Sequence, residues 1–335
     1  MDTEKNRAIE AIKKKLLGKE IDYEDAYAVM NQFSKKELGD IFVAYFAATS
    51  FREGFNDEEL YYLTKAMVNT GKRFSFSGIV ADKHSIGWLP GTRATMIIVP
   101  IIAAAGYLIP KTSSRAITTP AGTADCMEVL APVTIPFENI QKIVYKTGGC
   151  IVWGGHLGIA PADDIIIRVE EPLMFESYDK VIVSILAKKV AASSNLLILD
   201  IPVGPTMKIK YVKDAVAFAA RFSKLAQRFS IEVKTEVNFQ YQPSGNGIGP
   251  ALETYDALRV LEQKKDRPQG LEDKAIKLAS RLLDMCFAKD NKTADGLLVA
   301  EELLRTGKAY KKFCEIVVAQ GCMPEPSSET IPRAP

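Results

Sequence analysis

Two textures of apolar and polar positions follow one another along the chain. Over residues 1–70 apolar side chains recur at helical spacing. Ser34-Lys-Lys-Glu37 and Asn56-Asp-Glu-Glu59 each place a capping side chain three positions before a glutamate and ahead of such a run, and Gly71 follows the last of them. The pattern predicts an all-helical lobe over 1–70 that carries no chemistry of its own. From Ser75 the texture changes to short β-rich runs alternating with helical stretches. FSGIV, CIVWG, IIIRV, NLLILDIPV and IEVKTEV read as strands, while TMIIVPIIAAAG and residues 137–147, 180–192 and 212–229 read as helices. Such alternation predicts an α/β domain around a mostly parallel mixed sheet, with ligand-binding loops at the carboxyl ends of its strands. After Gly249 three more helical patterns follow, and the proline-rich MPEPSSETIPRAP, residues 323–335, reads as a linker-like tail. The predicted division is a helical lobe of 1–70 with inserted helices from about 161–192, and an α/β domain of 71–160 and 193–322.

Composition narrows the partners. The 335 residues are 47% hydrophobic and 25% charged, enough apolar material for a sizeable core. The net charge of +2, from 43 basic and 41 acidic residues, provides no polycation for nucleic acid. Anion recognition must be local. Five cysteines without paired short spacings suggest neither a disulfide framework nor a metal site, and fit a reducing cytoplasm. The charged start MDTEKNRAIEAIKKK lacks the apolar core of a secretory signal. The most apolar run, residues 96–110, contains Pro100 and Gly106. It falls short of the roughly 20 residues a membrane span needs, so no membrane partner is expected.

Three stretches could carry chemistry. In DKHSIGWLPGTRAT, residues 82–95, Lys83, Ser85, Thr92 and Thr95 supply cationic and hydroxyl donors, and Gly87, Pro90 and Gly91 permit sharp turning ahead of a helix starting near Thr92. The stretch reads as a phosphate loop or as a capped turn, with Trp88 unexplained by either. KTSSRAITTPAGTAD, residues 111–125, has the same character and also precedes a helix; the two loops either converge on one anion or the second is a polar surface turn. Ser184 and Lys188, four apart on a predicted helix, share a face, and Arg168 ends the predicted strand IIIRV. Together they could grip a nucleobase, or Lys188 and Ser184 could simply face solvent.

The blocks KHSIG followed by PG, KTSSRAIT, AGTAD, VWGG, APADDIIIRVE, AKK, DIP and GPALE, in this order over nearly the whole chain, resemble the thymidine and pyrimidine nucleoside phosphorylase family. The resemblance is closest to its archaeal AMP phosphorylase branch, and it implies a fold of the nucleoside phosphorylase class II or phosphoribosyltransferase kind. It also implies phosphorolysis: orthophosphate, a co-substrate and not a cofactor, attacks the anomeric carbon of a nucleoside or nucleotide, and the base leaves. No other cofactor and no metal are implied.

Matched residue by residue, the resemblance makes Lys83, Ser85, Thr95, Ser113 and Thr123 the phosphate set, with Lys83 also assisting the reaction. Arg168, Ser184 and Lys188 become the base clamp, and Ser114, Arg115, Ala116, Ile117, Thr118 and Thr119 line the nucleotide site together with Trp88 and Lys208. Glu176 takes the position of the aspartate that protonates the leaving base. The second loop lacks the histidine typical of the thymidine-specific branch, having Thr118-Thr119-Pro120 there, and Lys208 suits a substrate 5′-phosphate. Both features favour an AMP-like substrate, giving free base and ribose 1,5-bisphosphate. A thymidine or pyrimidine nucleoside phosphorylase and a non-catalytic phosphate- or nucleotide-binding homologue are the alternatives.

The chain departs from the family pattern at Trp88, where the pattern has glycine, at Glu176 for aspartate, and at His156 and Gly158 in WGGHLG; Arg93 and His156 are further polar groups beside the loops. It resembles the two central domains of archaeal members alone. The implied arrangement is a homodimer through the helical lobe, with substrate in a cleft that closes between the lobes.

Overall fold

A computed structural model describes residues 3–52, 54–87, 89–117, 119–173, 177–322 and 325–331. In chain order the elements are α1 (Thr3–Leu16), α2 (Tyr23–Ser34), α3 (Asp40–Arg52), α4 (Asp57–Asn69), β1 (Ala81–Ser85), α5 (Thr95–Ala104), β2 (Ile109–Ser113), α6 (Thr123–Glu128), α7 (Phe137–Thr147), β3 (Gly149–Trp153), α8 (Pro161–Leu173), α9 (Tyr178–Ala191), β4 (Leu196–Val203), α10 (Val212–Gln227), β5 (Glu232–Phe239), α11 (Pro250–Leu261), α12 (Gln269–Lys289), α13 (Gly296–Arg305) and α14 (Lys308–Ala319). They form two compact units, one of residues 1–75, 158–193 and 221–230, the other of 76–157, 194–220 and 231–335. Among the described residues no helix is long and apolar enough to cross a membrane.

The first unit is a helical bundle. Asn56 caps α4 in a reciprocal box with Glu59, and Glu59 is itself buried against Lys15 of α1. The second expected cap, Ser34, does not start a helix. It is the last residue of α2 and its hydroxyl donates to the Asn31 carbonyl, while α3 starts at Asp40. Residues 221–230 also belong to this bundle, although the sequence reading assigns them to the α/β part. Arg221 pairs with Asp57 and Asp179, Arg228 pairs with Glu58, and Phe229 packs on Tyr61.

The second unit holds β1, β4 and β5 in one parallel sheet with β4 central, and β2 paired parallel with β3. A bridge between Val80 and Leu108 links the two. Every residue of β4, LLILDIPV, is buried, as expected for a strand covered on both faces. Helix α5, with Pro100 in its interior, is apolar all round and packs against α12 and α14, as a helix buried on all sides must.

Three strand assignments change. FSGIV is irregular apart from the Val80 bridge, and the strand is the following ADKHS. IIIRV lies inside α8, whose first turn carries Pro161, Asp163 and Asp164, all N-terminal helix signals. IPKTS, expected as part of a loop, is β2. The tail also differs from a free linker. Ser328 bonds Glu262, which follows α11, through both its backbone N–H and its hydroxyl, and Ile331 is buried.

Candidate active site

Lys83 and Ser85 lie two apart on β1 and therefore on one face of the sheet. The Lys83 side chain is buried, with Nζ 3.5 Å from Oγ1 of Thr95. Thr95, rather than Thr92, is the first residue of α5. Thr92 serves a neighbouring loop instead, its Oγ1 accepting from the Ser244 N–H at 3.3 Å. That loop also fixes Gly91, whose carbonyl accepts from Gly245 at 2.7 Å. At φ 66° a Cβ on Gly91 would lie 2.9 Å from the Gly247 carbonyl, so only glycine fits.

Ser85 donates to Oδ2 of Asp200 at 2.9 Å, its register partner on β4. Asp200 is fully buried and held by Lys274 at 3.2 Å and by Asn238 Nδ2 at 3.1 Å; Lys274 continues to Gln240 at 2.6 Å. Residues from β1, β4, β5 and α12 thus meet in one polar network at the carboxyl ends of parallel strands. Sequence reasoning missed Asp200, Asn238, Gln240 and Lys274. The available signal was a lone carboxylate in the otherwise apolar run LLILDIPV.

The second loop leaves from the end of β2. The hydroxyl of Ser113, last residue of that strand, is buried and makes no hydrogen bond among the described residues. Thr123, first residue of α6, lies 3.5 Å from Nη1 of Arg93, and Arg93 is anchored through Nε by the buried Glu253. Arg93 therefore faces inward and ties the two loops together; it is no surface side chain. The rest of the loop is wound around Asp125, which accepts from the Ala116 N–H at 2.6 Å, the Gly122 N–H at 2.8 Å and Arg115 at 3.0 Å. A Cβ on Gly122 would overlap the Ser114 and Arg115 backbone.

Arg115 also binds Glu128 and lies 4.8 Å from the Trp153 ring centroid, and His156 stacks on the same Trp153 at 6.2 Å. Glu128 and Asp125 outweigh the burial of Arg115 and raise its pKa above the ordinary arginine value. The Ser114 carbonyl accepts the Ala124 N–H, the Thr119 hydroxyl donates to the Ala121 carbonyl, and Ile117 is exposed. Lys208 is half-buried between β4 and α10. Trp88, Thr118 and Glu176 fall outside the described residues.

The predicted base clamp lies in the helical unit. Ser184 and Lys188 sit one turn apart on α9, with the Lys188 Nζ 3.3 Å from the Ser184 hydroxyl. Both converge on Asp163 of α8: the Ser184 hydroxyl donates to it at 2.9 Å and Lys188 pairs with it at 2.6 Å. Burial works against the Lys188 charge, but the Asp163 carboxylate overcomes it and raises the pKa. Arg168 does not join them; it pairs with Asp40 of α3 at 2.6 Å, both side chains more than half exposed. Asp164, beside this group, has its pKa pushed up to about 7, mainly by burial, with the Asp163 charge adding and Lys188 opposing. Sequence reasoning missed both aspartates, because a strand at IIIRV gives no reason for the two residues before it to meet Ser184 and Lys188.

Residues 9–71 match the helical bundle domain of the glycosyl transferase family. The chain is 41% identical over 95% of its length to a putative thymidine phosphorylase of Albidiferax ferrireducens, covering 61% of that protein. It is 43% identical over 97% of its length to an AMP phosphorylase of Thermofilum pendens, covering 62%. Among solved structures, anthranilate phosphoribosyltransferase from Thermus thermophilus superposes over 92% of this chain and 99% of its own with a TM-score of 0.75; at 19% identity this likeness is one of fold. The chain spans about three fifths of the length of the curated relatives it matches. Residues 9–71 thus match a glycosyl transferase helical bundle, and over nearly its whole length the chain is similar to proteins named putative thymidine phosphorylase and AMP phosphorylase, in keeping with the resemblance in the motifs.

Proposed function

We propose that this chain belongs to a pentosyltransferase that cleaves a nucleoside 5′-monophosphate, with AMP the leading candidate, by phosphorolysis. One observation carries the reading. The buried Lys83 of β1 lies 3.5 Å from the Thr95 hydroxyl, Arg93 lies 3.5 Å from the Thr123 hydroxyl, and the hydroxyl of Ser113 at the end of β2 is buried with no partner among the described residues. An unsatisfied buried hydroxyl costs about 1–3 kcal/mol, and an oxyanion accepting from it removes that cost.

Orthophosphate held there presents one oxygen to C1′ of the ribose. As the C1′–N bond lengthens, positive charge builds on the ribose ring and negative charge on the base. The new C1′–O bond yields ribose 1,5-bisphosphate, and the departing base takes up a proton. Lys83 and Arg93 neutralise and orient the nucleophile; Lys188 and Ser184 stabilise the developing charge on the base. Ser85 joins the phosphate set by exchanging Asp200 for the anion. Glu176 is the proposed proton donor to the leaving nitrogen, and Lys208 the partner of the 5′-phosphate. The absence of the thymidine-branch histidine supports a nucleotide substrate, while the relatives named putative thymidine phosphorylases keep a nucleoside substrate as the second reading.

Free base released from AMP, CMP, UMP, thymidine and uridine in the presence of orthophosphate decides between them. Release with nucleotides supports the first reading and release with thymidine or uridine alone the second. Binding of AMP with no release from any substrate, unchanged in Trp88→Gly, would leave a non-catalytic nucleotide binder. Orthophosphate dependence of the release separates phosphorolysis from hydrolysis.

A further inference from the structure

Which bases the clamp accepts is a separate matter from phosphorolysis itself, and the charges around Lys188 bear on it. Asp163 and Asp164 are consecutive on α8 and both interact with the single ammonium of Lys188. Asp163 takes the ion pair and the Ser184 proton as well. Asp164 is left over: among the described residues no donor is bonded to its carboxyl group. It directly follows Asp163 on α8, the residue on which Ser184 and Lys188 converge at 2.9 Å and 2.6 Å.

Several other charges on α8 and on the helices packed against it are paired. Arg168 holds Asp40 of α3, and Glu170 holds Lys180 of α9. On α2, Asp25 is paired with Arg7 and Lys14; on α4, Glu59 is paired with Lys15, Glu58 with Arg228, and Asp57 with Arg221 and Lys224. A half-buried carboxyl group with one shared cation nearby and no donor of its own is matched by a ligand that brings a donor. An exocyclic amino group does so, and a carbonyl at the same position does not.

We propose that Asp164 is a specificity-determining residue of the base site, selecting amino-bearing bases such as adenine and cytosine over the oxo-bearing uracil and thymine. The inference rests on the assignment of Ser184 and Lys188 to the base. Ionised, Asp164 only accepts, so it pairs with an amino N–H and repels a carbonyl oxygen. Protonated, it has an O–H to donate as well, and the discrimination relaxes. Titration of this carboxyl group therefore makes selectivity rise with pH.

The test is calorimetric binding of free adenine, cytosine, uracil and thymine to the whole chain with saturating orthophosphate, on both sides of neutral pH, for the wild type, Asp164→Asn and Asp164→Glu. The wild type should prefer the amino bases by about 10- to 100-fold at alkaline pH, the range of a charge-assisted hydrogen bond, and by less at acid pH. In Asp164→Asn, whose amide both donates and accepts, the preference should fall to the acid-pH value and lose its pH dependence. Asp164→Glu should restore the slope. Equal binding of all four bases by the wild type, binding of none, or the same selectivity and slope in Asp164→Asn overturns the proposal. Selective base binding without base release from any nucleotide would sink the phosphorolysis reading and leave Asp164 standing. Release from AMP with selectivity unchanged in Asp164→Asn would do the reverse.

Discussion

The Ser113 hydroxyl distinguishes a binding role from a structural one more cleanly than any other donor in the phosphate set. Among the described residues it has no bond to lose, so Ser113→Ala removes a group that costs free energy in the ligand-free protein. Thermal stability should hold or rise slightly, by up to about 1 kcal/mol, while affinity for orthophosphate falls roughly 10-fold. Thermal melts beside phosphate titrations read both; an unchanged phosphate affinity would remove Ser113 from the set. Arg93 behaves oppositely. Its partner Glu253 is fully buried, so Glu253→Gln leaves the guanidinium without a countercharge and should destabilise by about 3 kcal/mol. Denaturant midpoints at constant slope measure that loss.

Asp164 adds a pH signature. Its folded pKa of about 7 lies above its ordinary 3.8, so its protonated form favours the fold; the contribution is complete below about pH 4 and is lost as pH rises through 7. Asp164→Asn should therefore gain stability relative to the wild type at about pH 8 and gain little at about pH 4. Melting temperatures of the two proteins across that window give the comparison, and parallel curves would count against the shift. The residues expected to hold phosphate were legible as types and not as elements: Lys83 and Ser113, expected in loops, lie on β1 and at the end of β2, and Thr95 and Thr123 start α5 and α6. Asp164 was not legible, because the value of a carboxyl group depends on burial and on neighbours two helices supply.

Elements were legible where their faces were uniform and obscure where they carried buried charge. The β4 run was plain, being apolar almost throughout, and so was α4 with its Asn56 box. β1 and β2 read as loops because ADKHS and IPKTS are polar, yet Asp82, Lys83, Lys111 and Thr112 are all buried. Their charges are satisfied across strands: Asp82 accepts from Ser194 at 3.0 Å and lies 4.0 Å from Lys111. α8 misled for the converse reason, since three consecutive isoleucines favour a strand locally. Within the second loop, glycine matters at one position above the others. Gly122→Ala would force the Ser114 and Arg115 backbone away and unwind the ring around Asp125. Loss of phosphate binding with only a modest fall in melting temperature is the expected outcome; retained binding would show that the loop reforms without this close approach.

At the scale of the molecule, alternation of textures separated the helical and α/β parts, but it could not show that the end of α10 belongs to the bundle. Nothing in the helical period of residues 212–227 breaks near 220, and the link is made by Arg221 and Arg228 finding Asp57, Asp179 and Glu58 on distant parts of the chain. The same scale governs assembly. On the bundle, α3 exposes Ile41 at 71% and Tyr45 at 53%, one turn apart, and α1, which packs on α3, is followed by Leu17 at 71%. Large apolar side chains adjacent on one helix face are what a second copy would cover. The homodimer expected from the family resemblance should therefore form through this face. Ile41→Asp combined with Tyr45→Asp places charge on it without touching the phosphate or base residues. Sedimentation equilibrium should then show the wild type at twice the chain mass and the double variant at the single-chain mass, with circular dichroism unchanged. A double variant that sediments with the wild type would move the interface elsewhere.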